Sequence, residues 1–260
     1  MPVVPMSRRV CRRKRLRLLV VTGAALVAAV VCAPAGASPP NAAAPRVVPP
    51  LVIPPVPGVY ETLAVRWWQY ALGQPTATNP LTDPTGANCA VGQSGPVFFL
   101  AGTAGSGTVD RTACVVHGPH ALFFPLVNAF DVHTPGDGLD TPALVYDDFV
   151  NTLHFRLDTA FATLDGVPVR NLDPARSPFR ACAAPVRGCF PDSFSLTFPA
   201  DNLFGLPAGV YAPAVQDGIY LLLAPLTPGR HTLHFGGSEQ LGNPPAPGTQ
   251  DITYELTVTR

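Results

Sequence analysis

Apart from Lys14 the chain contains no lysine. Seven of its 17 basic residues, Arg8, Arg9, Arg12, Arg13, Lys14, Arg15 and Arg17, crowd into residues 1–37, which hold none of the 17 acidic ones. The remainder therefore carries ten Arg and a net charge near −7. That balance argues against nucleic acid and anionic membranes as partners, since both need a clustered basic face. The apolar run 18–31 is too short and too Ala-rich for a stable membrane span. No cysteine pair has the C-x-x-C spacing of a zinc site, and Ser193 and Ser195 lack the Gly-x-Ser-x-Gly setting of a hydrolase nucleophile. The Gly-rich run 102–107 is followed by no Lys and opens no helix, so it is not a phosphate cradle. No cofactor is expected.

What is present begins with an address. A basic region, the apolar run and the small residues Ala35-Gly36-Ala37 follow one another in the order that an export machine and its peptidase read. Residues 1–37 are expected to be a signal peptide cut after Ala37, and the mature chain to be secreted, extracellular or in the cell envelope, without a membrane span. Ser7-Arg8-Arg9-Val10 echoes a twin-arginine signal, but Cys11 and Arg12 stand where apolar residues belong; Cys32 follows Val31 rather than a small residue, which disfavours a lipid anchor. Cys11 and Cys32 leave with the signal, and an even four remain. In an exported chain they read as two disulfides, with sequence proximity favouring Cys89 with Cys114 and Cys182 with Cys189.

Residues 38–57 hold eight prolines in twenty, which removes backbone donors and fixes φ, so an extended arm is expected there, poorly ordered and removable. A single β domain is expected over 58–260. Residues 61–72 place Leu63, Trp67 and Ala71 on one stripe and Ala64, Trp68 and Leu72 on the next, a short helix ended by Gly73 and Pro75. Trp67 and Trp68 are read as its anchors to a sheet, with sugar stacking as the other reading. Residues 97–101 and 108–116 read as a hairpin across the Gly-rich loop, and 121–127 as a further strand. Thr141-Pro142 opens a helix to about residue 154, and a strand from about 156 turns at Asp165-Gly166 into 167–172. Residues 194–198, 218–223, 230–235 and 251–259 are four more strands, with Pro228-Gly229 turning between two of them. In the last, Ile252, Tyr254, Leu256 and Val258 alternate with polar residues, so one face is buried. Eight or more short strands with turn signals imply an antiparallel β-sandwich carrying one or two short helices.

The runs 64–72, 93–102 and 121–125, with Asn79-Pro80, Asp83, Cys89, Arg111, Cys114 and Asn128, resemble a group of exported, disulfide-containing bacterial proteins of unknown function. The similarity continues through 165–168, 218–220 and 228–237 and so covers nearly all of the mature chain. It implies an exported location and carries no activity or catalytic residues. The C-terminal part, Leu226 to His231 with a last strand holding Tyr254, also looks like the final strands of bacterial immunoglobulin-like domains. Cys182 and Cys189 are too close to form the inter-sheet bridge of that fold.

Few side chains suggest chemistry. His231 and His234 fall on opposite faces of a strand, and His117 and His120 flank a turn with no third ligand near. Asp131, Asp137 and Asp140 offer hard oxygens on a Gly-containing loop, the one place a calcium ion would suit, although the spacing does not match the twelve-residue calcium loop and turn aspartates bond their own backbone. Asp147 and Asp148 diverge as helix neighbours and do not make an acid–base pair. The expected function is non-catalytic binding of an extracellular protein or glycan. The alternative is a secreted hydrolase whose carboxylates meet only in the fold.

The secreted chain should begin at Ser38 and contain no free thiol. Intact mass and alkylation without reduction check both; any labelled cysteine contradicts the pairing.

Overall fold

The computed structural model describes residues 51–260, so the expected signal peptide and most of the arm lie outside the described residues. Helix α1, Val59–Leu72, starts two residues earlier than its periodicity suggests, because Gly58 takes φ +82° and donates its N–H to the Glu61 carboxylate at 2.8 Å. Leu63, Ala64, Trp67, Trp68, Ala71 and Leu72 form its buried stripes, as the spacing requires.

Two sheets pack face to face as a β-sandwich. In the first, β1 (Val97–Phe99) lies parallel to β4 (Ala121–Val132), which runs antiparallel to the long β9 (Gly209–Leu223). The other edge of β9 is covered in turn by β8 (Phe194–Phe198) and β7 (Arg180–Ala183), and then by Val52, which bridges Leu223. In the second sheet, β5 (Arg156–Leu164) with its short partner β6 (Val167–Pro168) borders β10 (Gly229–Leu241), which forms a long hairpin with β11 (Ala246–Thr259). The far edge of β11 takes β2 (Gly107–Arg111) and β3 (Val115–His117), both parallel. Phe124 of β4 meets Phe235 of β10 across the interface at 4.7 Å between ring centroids. On the outer face of the first sheet, α1 packs Tyr60 against Phe123 and Trp68 against Phe130. Strand β4 is thus covered on both faces, which is why its sequence is continuously apolar where β11 alternates.

Three expectations are corrected. Residues 97–101 and 108–116 are not a hairpin: the Gly-rich loop carries the chain from the first sheet to the second. The stretch expected as one strand over 108–116 breaks into β2 and β3, because Arg111 turns inward and Cys114 is tied to Cys89. The arm is not loose to its end, since Ile53 N–H donates to the Leu222 carbonyl, Ala224 N–H donates to that of Leu51, and the Tyr60 hydroxyl donates to Ile53 O at 2.7 Å. Helix α2, Pro142–Asp147, also gives way to a wider π turn over Asp148–Thr152 before β5; Val145 and Phe149 seal a small second core with Ala129, Ala184 and Val215. Both disulfides pair as expected, Cys89 with Cys114 and Cys182 with Cys189.

The most demanding buried group is Arg111, 1% exposed. Its Nε donates to Asp83 O, one terminal nitrogen to Ala101 O and the Tyr254 hydroxyl, and the other to Gly102 O, while the guanidinium lies 5.2 Å from the Tyr254 ring centroid. Removing one member of such a set strands the rest in a low-dielectric interior. Arg111→Ala should cost about 3–5 kcal/mol, and Arg111→Lys should recover little, because a point charge cannot span three carbonyls. Urea unfolding at pH 7 measures it; a loss under about 1 kcal/mol would show that the fork is dispensable.

Candidate functional site

The row of side chains facing inward from β10 runs Leu233, Phe235, Gly237, Glu239, Leu241. Opposite it on β11 stand Tyr254, Ile252, Gln250, Gly248 and Ala246. The row is apolar and buried where the first sheet lies over it. Toward its far end the row turns polar with Gln250 and Glu239 before Leu241 returns to apolar packing against the small second core of Ala129 and Val215.

Beside these polar residues is a cleft of about 390 Å³ along the edge of β4, beyond the reach of β1. Trp67, Trp68 and Leu72 of α1 wall one side with Asn128 and Phe130 of β4. Leu81, residues 103–105 and the loop carrying Leu203 and Phe204 close the others, and Glu239, Leu241 and Gln250 make the floor. Four rings form a continuous run: Trp67 to Trp68 at 4.9 Å, Trp68 to Phe130 at 4.6 Å, Phe130 to Phe204 at 5.9 Å. Phe204 is half exposed and forms the rim.

The polar groups differ in how they are met. Trp67 donates its indole N–H to Leu100 O at 2.8 Å, and Asn128 donates to the Tyr220 hydroxyl, which donates on to Gln216. Gln250 accepts from Thr103 N–H, and it can approach because residue 102 is glycine: a Cβ there would overlap the Gln250 amide oxygen. Glu239 is accommodated likewise by Gly248, where a Cβ would stand 2.7 Å from Oε1. Its Oε2 is buried and has no hydrogen-bond partner among the described residues. Burial alone pushes the Glu239 carboxyl up to about 7. The indole N–H of Trp68 lies near the Tyr220 hydroxyl and is buried without a hydrogen-bond partner among the described residues.

Trp67 and Trp68, singled out in the sequence as packing anchors, are buried at 1% and 6% exposure, and both line the cleft. The other candidates lie elsewhere. Burial alone would raise the Asp137 carboxyl, but the hydrogen bonds from Leu139, Thr134 and His133 together hold it well below the ordinary range. Asp140 stands 3.8 Å from the other His133 nitrogen. Asp131 faces Asp148, and burial first, then the Asp148 and Asp137 charges, raise its carboxyl to about 6 against the hydrogen bond from Val132. No group of three or more His, Cys, Asp or Glu able to hold a metal ion is assembled among the described residues, so Asp131, Asp137 and Asp140 do not form the calcium set. His231 pairs with Asp165 and His234 with Asp251, on opposite faces as their spacing requires. His117 bonds Thr259, His120 lies against Phe98, and Asp147 accepts from Asn151. Ser195 is exposed on β8, where its carbonyl accepts from Gln69, and Ser193 precedes that strand.

Glu239 and Gln250 were missed by sequence reasoning. A lone Glu near a strand end reads as a solvated side chain. The available signal was parity, since Glu239 shares the phase of Leu233 and Phe235, and Gln250 that of Ile252 and Tyr254. No protein-family model matches the chain, and no curated protein or solved structure matches it.

The raised carboxyls fix the sign of a pH effect. A group that binds its proton more tightly folded than unfolded favours the fold below its ordinary pKa and loses that advantage as pH rises to the folded value. Glu239 thus weakens the fold progressively between about pH 4.5 and 7. Asp137 acts in the opposite sense and lower, its contribution vanishing as pH falls below the ordinary carboxylate range. Glu239→Gln should therefore gain about 1–3 kcal/mol at pH 8 and almost nothing at pH 4. Paired urea titrations of both proteins isolate this difference; equal stability at pH 8 would mean that Glu239 is solvated.

Proposed function

We propose that the chain is exported and acts outside the cytoplasm as a non-catalytic binding protein whose ligand, a glycan or part of an extracellular protein, enters the cleft beside β4. The observation that carries this reading is the convergence of four aromatic rings with Glu239, Gln250 and Asn128 on one cleft of about 390 Å³. That size and lining, mostly apolar with a few placed polar groups, suits a ligand pocket. The export signal, the two disulfides and the resemblance to exported bacterial proteins support the compartment. Among the described residues no helix is long and apolar enough to cross a membrane.

The hydrolase alternative needs two carboxyls, or a base beside a nucleophile, facing one substrate. Glu239 is the single ionisable side chain lining the cleft among the described residues, and the Asp131–Asp148 pair does not line it. Binding is therefore the reading that the site favours.

Both tryptophans of the chain line the cleft, so their emission reports its occupancy directly. In a screen of glycans and envelope-protein peptides, a true ligand should shift the emission, and Phe204→Ala on the exposed rim should weaken it about tenfold or more while moving Tm by no more than a few degrees. A ligand whose affinity ignores Phe204 binds elsewhere and refutes the cleft. A ligand that is cleaved in a Glu239-dependent way restores the hydrolase.

A further inference from the structure

The cleft holds an electrostatic imbalance that its own residues do not settle. One carboxyl lies on its floor with an unmatched buried oxygen, and among the described residues no Arg or His shares the lining. Lysine is missing from the whole described chain. The surrounding rings of Trp67, Trp68, Phe130 and Phe204 present π faces and edges, and a π face attracts a cation more strongly when water is excluded. Gly248 leaves the room that Glu239 occupies beside β11. The polar end of the cleft is thus acceptor-rich and cation-poor.

We infer that the ligand of this cleft carries a protonated amino group, which donates to Glu239 while the apolar body attached to it lies among the four rings. This deepens the binding role proposed above and rests on it. A hydroxyl could supply the missing hydrogen bond but leaves a carboxylate charge uncompensated in a partly desolvated site; an ammonium group answers both needs at once. The Glu239 proton leaves when the ammonium arrives, since the adjacent cation favours the ionised carboxyl. Binding consequently releases a proton near neutral pH and tightens as pH rises through about 7. Among the described residues no other ionisable side chain lines the cleft, so this dependence belongs to Glu239 and to the ligand's own amine.

The test uses benzylamine and its neutral isostere benzyl alcohol, titrated into the full secreted chain with tryptophan emission as the readout. At pH 8 benzylamine should bind at least about tenfold more tightly than the alcohol, and Glu239→Gln should abolish that preference while leaving the alcohol unchanged. Below pH 7 the amine's advantage should fall by up to about tenfold per pH unit, while the alcohol's affinity stays level. Phe204→Ala should weaken both probes, which places them in the cleft. Equal affinities for amine and alcohol, or a preference that survives Glu239→Gln, overturn the amine and leave the cleft as a neutral-ligand site. If neither probe perturbs the tryptophans, the cleft reading fails together with the amine.

Discussion

The guanidinium of Arg111 is buried without a carboxylate partner. Three main-chain carbonyls and one tyrosine hydroxyl take up its donors instead. Bringing such a charge out of water costs several kcal/mol, recovered only if every donor is met. The acceptors come from three places: Asp83 before the first disulfide, Ala101 and Gly102 after β1, and Tyr254 in the middle of β11. One side chain on an edge strand of the second sheet thereby fixes the loop that leaves the first. Cys89–Cys114 and Gly86 lie against the same cluster, so the wall that carries Leu81 and residues 103–105 is held from behind.

The cleft follows from that arrangement. Because β1 covers only the first residues of β4, the rest of the β4 edge is open, and α1 approaches it from the outer face with Trp68 and Leu72. A sandwich closed at this edge would have filled the place of Glu239 with another apolar residue. Here the inward row of β10 turns polar at Glu239, beside that open edge, before Leu241 rejoins the apolar packing against Ala129 and Val215. The fold tolerates Glu239 because the carboxyl can stay protonated at mildly acid pH.

Local order was legible in the sequence wherever one physical signal ruled. The spacing of Leu63, Trp67 and Ala71 gave α1, the alternation of Ile252 to Val258 gave the buried face of β11, and the cysteine proximity gave both disulfides. What depended on distant partners was hidden. Residues 97–101 and 108–116 have the look of a hairpin because a Gly-rich loop between apolar runs is locally the same whether the chain returns or crosses over. Strands β9 and β10 were seen only at their apolar parts: residues 209–217 and 236–241 owe their extension to ladders with β8, β7 and β11. Short β7 around Cys182 carries no periodicity and was not anticipated. The polar floor of the cleft was hidden because burial of a single carboxyl leaves no pattern in sequence.

The pairing scheme also bears on when this molecule can take shape. Strand β9 finds one partner at Val52 and others near residues 180 and 194, and β11, made from the last residues of the chain, joins β2 and β3 from more than a hundred positions earlier. Contacts of such separation must wait for loop closure and make folding slow. The second sheet therefore cannot close around its centre until the C-terminal hairpin of β10 and β11 is available, and until then the inner face of the first sheet lacks its cover. Whatever direction the chain emerges in, half of the sandwich is thus held back until its final residues are free to pair.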